Sequence, residues 1–414
     1  MTDILKSHTP ALVIWALGLT QIIGYGTLYY SFSALAPAMA LDFGWSEEWV
    51  YGVLSGSLLM GGLVAPISGV WADRFGAARV MAWGSVAAAA ALALCAWAPD
   101  RVGFVAGLVA IEVASAFVLY ATAFAALAQV AGQGAQRSIT HLTLIAGFAS
   151  TIFWPLTSLM HEHLSWREVY LVFAGVNLGV CLPVHIWLAR QRKRHLTASA
   201  SVATQEAPPL VPPSQEGRAQ ILMLLGFALL GFVSSAVLVH MIPMLATMGL
   251  GAAGVFVTTL FGPAQVLSRL VNMQFGKRLS QPALAIVAAG LMPLALIVLV
   301  GTAPWMPGAA AFAVLFGLGS GLSSIVSGTL PLAMFGRSGY GRRLGAISSA
   351  RLIVSSFAPV VFAMVAGAIL TPATLWILAF VGMLSAGCFG VIWFQYSADQ
   401  TPNNPDVAVP VREG

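Results

Sequence analysis

Charge is scarce in this sequence. Only 8% of its 414 residues are Asp, Glu, Lys or Arg, where a soluble globular chain carries about 25%. So few charges cannot clothe a soluble particle of this size, which excludes a cytosolic enzyme, and the apolar composition excludes a disordered chain. Cysteine is scarce too. Cys95, Cys181 and Cys388 lie far apart in apolar runs, which excludes a disulfide framework and a cysteine-based zinc site. There is no P-loop and no G-x-S-x-G nucleophile elbow, so neither ATP hydrolysis nor esterase chemistry is expected. His161-Glu162-His163 resembles a fragment of a metal motif. Its histidines sit two apart and do not share a helix face, and no third ligand cluster accompanies them. No cofactor and no metal is expected.

What is abundant is apolar. Hydrophobic residues make up 59% of the chain, with 42 glycines and 12 tryptophans. Glycine suits close helix packing in lipid and tryptophan suits the membrane interface. Crossing a bilayer as a helix takes about 20 apolar residues. Twelve runs qualify: 11–40, 49–71, 80–99, 102–131, 138–160, 167–189, 219–248, 252–275, 283–303, 307–334, 343–369 and 373–396. They lack the polar–apolar alternation of barrel strands. The first is too long for a signal-peptide core and more spans follow it at once. The expected fold is an all-α membrane protein.

The net charge of +5 is a topology signal. With both termini cytoplasmic, 15 Lys/Arg fall on that side, and only Arg101 and Arg167 on the other. The positive-inside rule fixes that orientation, and no nucleic-acid partner is needed to explain the basic residues. The longest connection, 190–218, opens with ARQRKRH and carries Pro208, Pro209, Pro212 and Pro213. Without apolar periodicity it reads as a flexible cytoplasmic linker. It divides the chain into a six-helix bundle at 1–189, a second at 219–397 and a cytoplasmic tail at 398–414. Span 2 runs into WADRFGAAR and span 8 into NMQFGKRL, while spans 5 and 11 align Pro155 with Pro359. These echoes predict two pseudo-symmetric bundles with a site near the membrane midplane between them.

Residues 69–79 read GVWADRFGAAR. Gly69 lets a neighbouring helix approach, Asp73 suits a basic residue or a helix N-terminus, and Gly76 permits a tight turn. The segment resembles the loop 2–3 signature of the major facilitator superfamily, matching at Gly69, Asp73, Arg74 and Gly76, with Ala77 and Ala78 in place of the usual basic pair. The resemblance covers about residues 10–397. It implies alternating access by rocking bundles, a cavity lined by spans 1, 4, 7 and 10, and a cytoplasmic gate built on this loop. LDFGWSEEWVYGVLSG (41–56) further resembles the monocarboxylate-transporter-like and oxalate/formate-antiporter-like branch, in which an Arg of span 8 commonly binds the substrate carboxylate; Arg269 occupies span 8 here. The branch's other charged signature residues are poorly matched. Drug exporters of the superfamily usually carry a Gly-Pro and Gly-Gly pattern in span 5. This chain reads GFASTIFWPLTSL there (147–159), and lacks their span 4 arginine.

Charged groups within a span are costly and belong in a wet cavity or beside a partner. Arg269 shares a helix face with Gln265 and Asn272, and a guanidinium holds a carboxylate through two parallel hydrogen bonds. Near the end of the span it could also snorkel. Glu112 in span 4 is a candidate proton carrier, since a carboxyl removed from water favours its neutral form; a structural carboxyl is the alternative. His240, before Pro243 in span 7, is a second titrating candidate or a structural histidine. Arg351 lies close enough to a span end to snorkel, with an interior site role as the alternative. Gln21, Tyr25 and Tyr29 form one stripe along span 1, and Tyr120 follows Glu112 on nearly the same face. Tyr29 and Tyr30 also suit interface anchoring. Ser320, Ser323, Ser324 and Ser327 beside Gly317 and Gly321 read as tight helix contact.

The expected function is secondary active transport of a small organic solute, a monocarboxylate-like anion moved with a proton. Arg269, Tyr29, Tyr120, Gln21, Tyr25, Gln265 and Asn272 are the expected binding residues, and Glu112 and His240 the coupling residues. The expected location is a bacterial inner membrane, with lipid, protons and the anion as partners to a monomer. The rival is a proton-coupled exporter of drugs or other toxic compounds. A membrane enzyme would want a catalytic cluster, and a sensor a soluble signalling domain where both termini are short.

Overall fold

Lipid offers no hydrogen bonds, so each crossing segment must satisfy its own backbone as a helix. The computed structural model describes residues 2–199, 209–251, 253–276 and 279–396. The middle of the expected linker (200–208), Lys277 and Arg278, and the expected tail lie outside them. Among the described residues there is no strand.

Among the described residues ten helices are long and apolar enough to cross a membrane. One of them, Glu48–Ala96, holds 49 residues and would measure ~73 Å as a single rod, against a hydrocarbon core of ~30 Å. It turns back at Gly76, whose φ of 96° and ψ of 128° leave helical geometry, and so supplies two crossings. A twelfth crossing is interrupted and falls short as one helix. The spans are α1 (Ala11–Phe43), α2 (Glu47–Trp71), α3 (Ala77–Ala96), α4 (Arg101–Ala131), α5 (Ala135–His161), α6 (Trp166–Gln191), α7 (Pro213–Leu250), α8 (Ala253–Thr258 and Phe261–Phe275), α9 (Gln281–Thr302), α10 (Met306–Phe335), α11 (Tyr340–Ile369) and α12 (Thr371–Tyr396). The protein is a twelve-span helical membrane protein.

In lipid the spans gain from close packing rather than from escaping water, and glycine permits it. A Cβ on Gly107 of α4 would strike Cys95 of α3, one on Gly61 of α2 would strike the Glu112 carbonyl of α4, and one on Gly321 of α10 would strike α8 at Gln265 and Ser268. Gly317 meets Phe261 and Ala264 of α8 in the same way, so the small residues of α10 serve helix contact. One apolar cluster, including Phe104 and Phe173, belongs to the first half, and another, including Phe227 and Phe312, to the second. A third joins Leu17, Phe124 and Ile139 to Leu332, Tyr340 and Leu344. That third cluster lies at the end carrying the 2–3 and 10–11 connections, the basic end.

At the opposite end Arg167 bonds Asp42 at 2.9 Å and the carbonyls of Ala96 and Ala98, while Arg101 donates to the Phe43 carbonyl at 2.8 and 3.0 Å. The helix ending the first half continues as Leu182–Ser199, further than its missing apolar periodicity suggests. Once clear of lipid a helix needs no apolar face, and Arg, Gln and Lys are good helix formers. Beyond the undescribed stretch, Leu210 and Val211 donate to the carbonyls of Ala333 and Met334 at 3.4 and 3.1 Å. Val211 is 1% exposed, and Glu216 pairs with Arg343. Residues 209–216 are thus fastened to the second half.

Candidate functional site

Three departures from regular helix surround the middle of the molecule. In α1, Gly26–Tyr30 is a π-turn, with the Ser31 N–H bonded back to the Gly26 carbonyl. Such bulges recur at functional sites. Here the extra residue rotates Tyr29 and Tyr30 together toward one region, and Gly26 leaves room for the Phe153 ring. In α4 the helix breaks at Leu119, whose ψ is −168°. In α5 it is interrupted at Gly147 and Phe148. Irregular backbone at this depth is tolerated only where protein or a cavity satisfies it. The α4 break obeys that rule: Gln21 Nε2 donates to the Val118 carbonyl at 2.7 Å, and Ser68 and Thr122 donate to that of Ala116 at 2.6 and 3.1 Å.

These irregularities assemble an aromatic cluster. Tyr25 and Tyr120 have ring centroids 4.6 Å apart, Tyr29 and Tyr30 5.3 Å, Tyr30 and Trp154 5.5 Å, and Tyr120 and Phe124 5.0 Å. Tyr29 is 48% and Trp154 49% exposed, so the cluster presents open ring faces. The second half brings two guanidinium groups to it. Arg269 of α8 is 5% exposed; its Nε donates to Ser324 at 3.3 Å, and its charge acts on Tyr30 and Tyr120. Among the described residues no acceptor reaches its buried Nη1. That Nη1 fills the place a Cβ on Gly147 would occupy. Arg351 of α11 is close enough for its charge to act on Tyr25, Tyr29 and Tyr120. Glu112 is 6% exposed, near Tyr29 and Tyr170.

The remaining expected residues are placed differently. Gln21 is fully buried and ties α1 to α4. Gln265 bonds Ser320 of α10 at 2.8 Å. Asn272 folds over Gly276 of its own helix. All three amides pack within the protein, and among the described residues the buried Gln21 Oε1 and Asn272 Oδ1 accept no hydrogen bond. His240 holds its Nδ1 against the Ala236 carbonyl at 3.2 Å and its ring 4.8 Å from Phe362, an arrangement made within α7 and α11. Arg351, weighed above as a snorkelling or an interior residue, lies within electrostatic reach of the tyrosines. Its stem runs along Gly231 of α7, a neighbour that sequence spacing does not reveal. Tyr30 and Trp154 also join the site, and the π-turn that places Tyr30 leaves no sequence signature beyond its glycine.

The loop 2–3 residues meet the other half at the basic end. Asp73 accepts from the backbone N–H of Gly341 and of Arg342, both at 2.8 Å. It thereby caps the N-terminus of α11, where free N–H groups and the helix dipole favour an anion. Gly69 abuts the carbonyl of Gly341 and the Cα of Gly345, and a Cβ on Gly345 would lie 2.6 Å from the Ala65 carbonyl. Gln129 clamps the turn, accepting from Ala77 N–H and donating to the Ala72 carbonyl, each at 3.0 Å. Arg74 lies over Phe75 at 5.2 Å, a local contact rather than one across the halves. Further cross-half contacts join Gly62 to Leu352 and Ile353, Gly328 to Phe124 and Ile139, and Gly147 to Arg269. All of these lie between mid-span and the basic end.

Twelve spans folded as two interlocking halves around such a site define a polytopic membrane transporter. The sequence profile of the Major Facilitator Superfamily matches residues 17–359, and the chain belongs to that superfamily. It is a transporter, not an enzyme. Similar solved structures include the human organic anion transporter MFSD10 (TETRAN), 15% identical over 92% of this chain and 99% of that one, TM-score 0.68. FucP, a transporter of the same superfamily in its outward conformation, is 11% identical over 91% and 97%, TM-score 0.66. The proton:xylose symporter XylE bound to 6-bromo-6-deoxy-D-glucose is 14% identical over 93% and 96%, TM-score 0.65. These likenesses show the fold. No curated protein sequence matches the chain.

Proposed function

We propose that this protein is a proton-coupled transporter of a small organic anion. The observation that carries the reading is the buried Arg269 Nη1, which has no acceptor among the described residues, beside a tyrosine cluster also reached by Arg351. A buried donor without a partner is costly, and a carboxylate supplies the missing acceptor through a charge-assisted bond. Arg269 and Arg351 hold the anion, Tyr29 and Tyr120 shape the site, and Glu112 carries the proton. His240, held against its own helix and Phe362, is the weaker coupling candidate. The description of MFSD10 as an organic anion transporter and of XylE as a proton symporter supports the class.

In this reading the basic end is cytoplasmic, the membrane is a bacterial inner membrane, and the working unit is a monomer. The bundles 1–189 and 219–397 rock about the site, and the contacts gathered at the basic end correspond to an outward-facing state. The test is uptake of labelled lactate or pyruvate by proteoliposomes under an inward proton gradient. Accumulation is expected, with loss on Arg269→Ala and loss of the gradient's effect on Glu112→Gln. Uptake indifferent to Arg269→Ala removes anion binding there. Flux indifferent to the gradient removes the coupling.

A further inference from the structure

The two halves contribute different chemistry to the site. The rings of Tyr25, Tyr29, Tyr30, Tyr120 and Trp154 come from α1, α4 and α5, while the cations Arg269 and Arg351 come from α8 and α11. Building on the anion reading above, we propose that the preferred substrate is an aromatic carboxylate, a planar ring bearing an acid group, taken ahead of a short aliphatic acid or a sugar.

Three observations lead there. First, centroid separations of 4.6 to 5.5 Å at interplanar angles of 55° to 82° are the tilted and edge-on arrangements that aromatic rings prefer. Tyr29 and Trp154, each about half exposed, leave faces on which another ring can stack. Second, several of the neutral polar groups that a sugar would need already serve the protein. Gln21 serves the Val118 carbonyl, Gln265 serves Ser320, and Ser324 donates to the Gly321 carbonyl while accepting from Arg269. The phenols of Tyr25 and Tyr30 face the Tyr120 backbone and Ser150. A site selects a polyol through convergent free donors and acceptors, whereas the half-exposed surface here is the rings of Tyr29 and Trp154.

Third, a ligand drives a conformational change only through differential interaction with the two states. Contacting both halves at once is the direct way to obtain it. A three-carbon acid offers no ring to stack on Tyr29 or Trp154. An aromatic carboxylate offers a ring to the first half and an acid group to the arginines of the second.

Lactate and 3-phenyllactate make the decisive pair, because they share the carboxylate and hydroxyl and differ by one phenyl ring. Binding to the purified full-length protein is measured by calorimetry. Phenyllactate is expected to bind at least about tenfold more tightly, about 1.4 kcal/mol by the free-energy equivalence of a tenfold change. Tyr25→Leu and Trp154→Leu should erase that preference, weakening phenyllactate about tenfold more than lactate. Tyr25→Phe and Trp154→Phe, which keep a ring, should retain it and guard against misfolding of the leucine variants. Equal binding of the two acids, tighter lactate, or equal weakening of both by the leucine variants overturns the aromatic assignment and leaves the anion reading standing. Loss of neither acid's binding on Arg269→Ala overturns the anion reading itself. Failure of the wild-type protein to bind either acid overturns both.

Discussion

A Cβ on Gly147 would coincide with the Arg269 guanidinium, so this glycine is the space in which the cation rests. Its φ of −59° and ψ of −21° are open to any L-residue, so Gly147→Ala is compatible with the backbone and acts on the arginine. The substitution is expected to weaken anion binding by about tenfold or more, through loss of one well-placed charged hydrogen bond worth about 1.5–3 kcal/mol, with thermal stability little changed. Calorimetry with lactate or phenyllactate checks it, and wild-type affinity in the variant would show that the slot is incidental. Arg269 itself is legible in the sequence, because an arginine deep in an apolar run demands explanation. Arg351 is not. Counting residues to the span end suggests a snorkelling side chain, whereas its direction is set by Gly231 on a helix 120 positions earlier in sequence.

At the scale of elements, the seal between α2 and α11 combines backbone contact at Gly69, Gly341 and Gly345 with one carboxylate on a helix end. Removing an N-cap acceptor costs about 0.5–2 kcal/mol, and 1–2 kcal/mol is a factor of 5–30 in a two-state population. Asp73→Ala should therefore open the basic end several-fold more often. A cysteine at Ala125, which lines the niche beside Asp73 and Tyr340, reports this in a background without the three native cysteines. Its labelling by a membrane-impermeant thiol reagent should rise about 2–30-fold; an unchanged rate would mean the cap does not hold the seal. The Gly-x-x-x-Asp half of this device is readable in the sequence. Its partner is not, because Gly341 and Gly345 stand in a run with no feature of its own. Helix interruptions were likewise hidden. Nothing in AFVLYATAF announces the break at Leu119, since it is stabilised by Gln21 and Ser68 from other helices.

For the whole molecule, the twelve crossings follow from apolar run length alone, which is why they are legible. How the crossings pair depends on small-residue contacts that composition does not order. If the halves rock, joining them at mid-span should arrest transport without blocking the site. A Cβ on Gly62 lies 3.1 Å from the Leu352 Cβ, near the ~3.5–4.5 Å separation of a disulfide. The double variant Gly62→Cys, Leu352→Cys should lose uptake on oxidation, recover it on reduction and bind substrate in both forms. Uptake undiminished by cross-linking would refute the rocking motion. The fastening of Leu210 and Val211 to Ala333 and Met334 bears on that motion as well. The fastened residues belong with the second half, so of the 29-residue connection at 190–218 the covalent path between the halves narrows to the peptide units from Ser199 to Pro209. About ten peptide units reach at most ~35 Å, so covalent geometry caps how far the two bodies can separate at this end, and each residue deleted there lowers that cap.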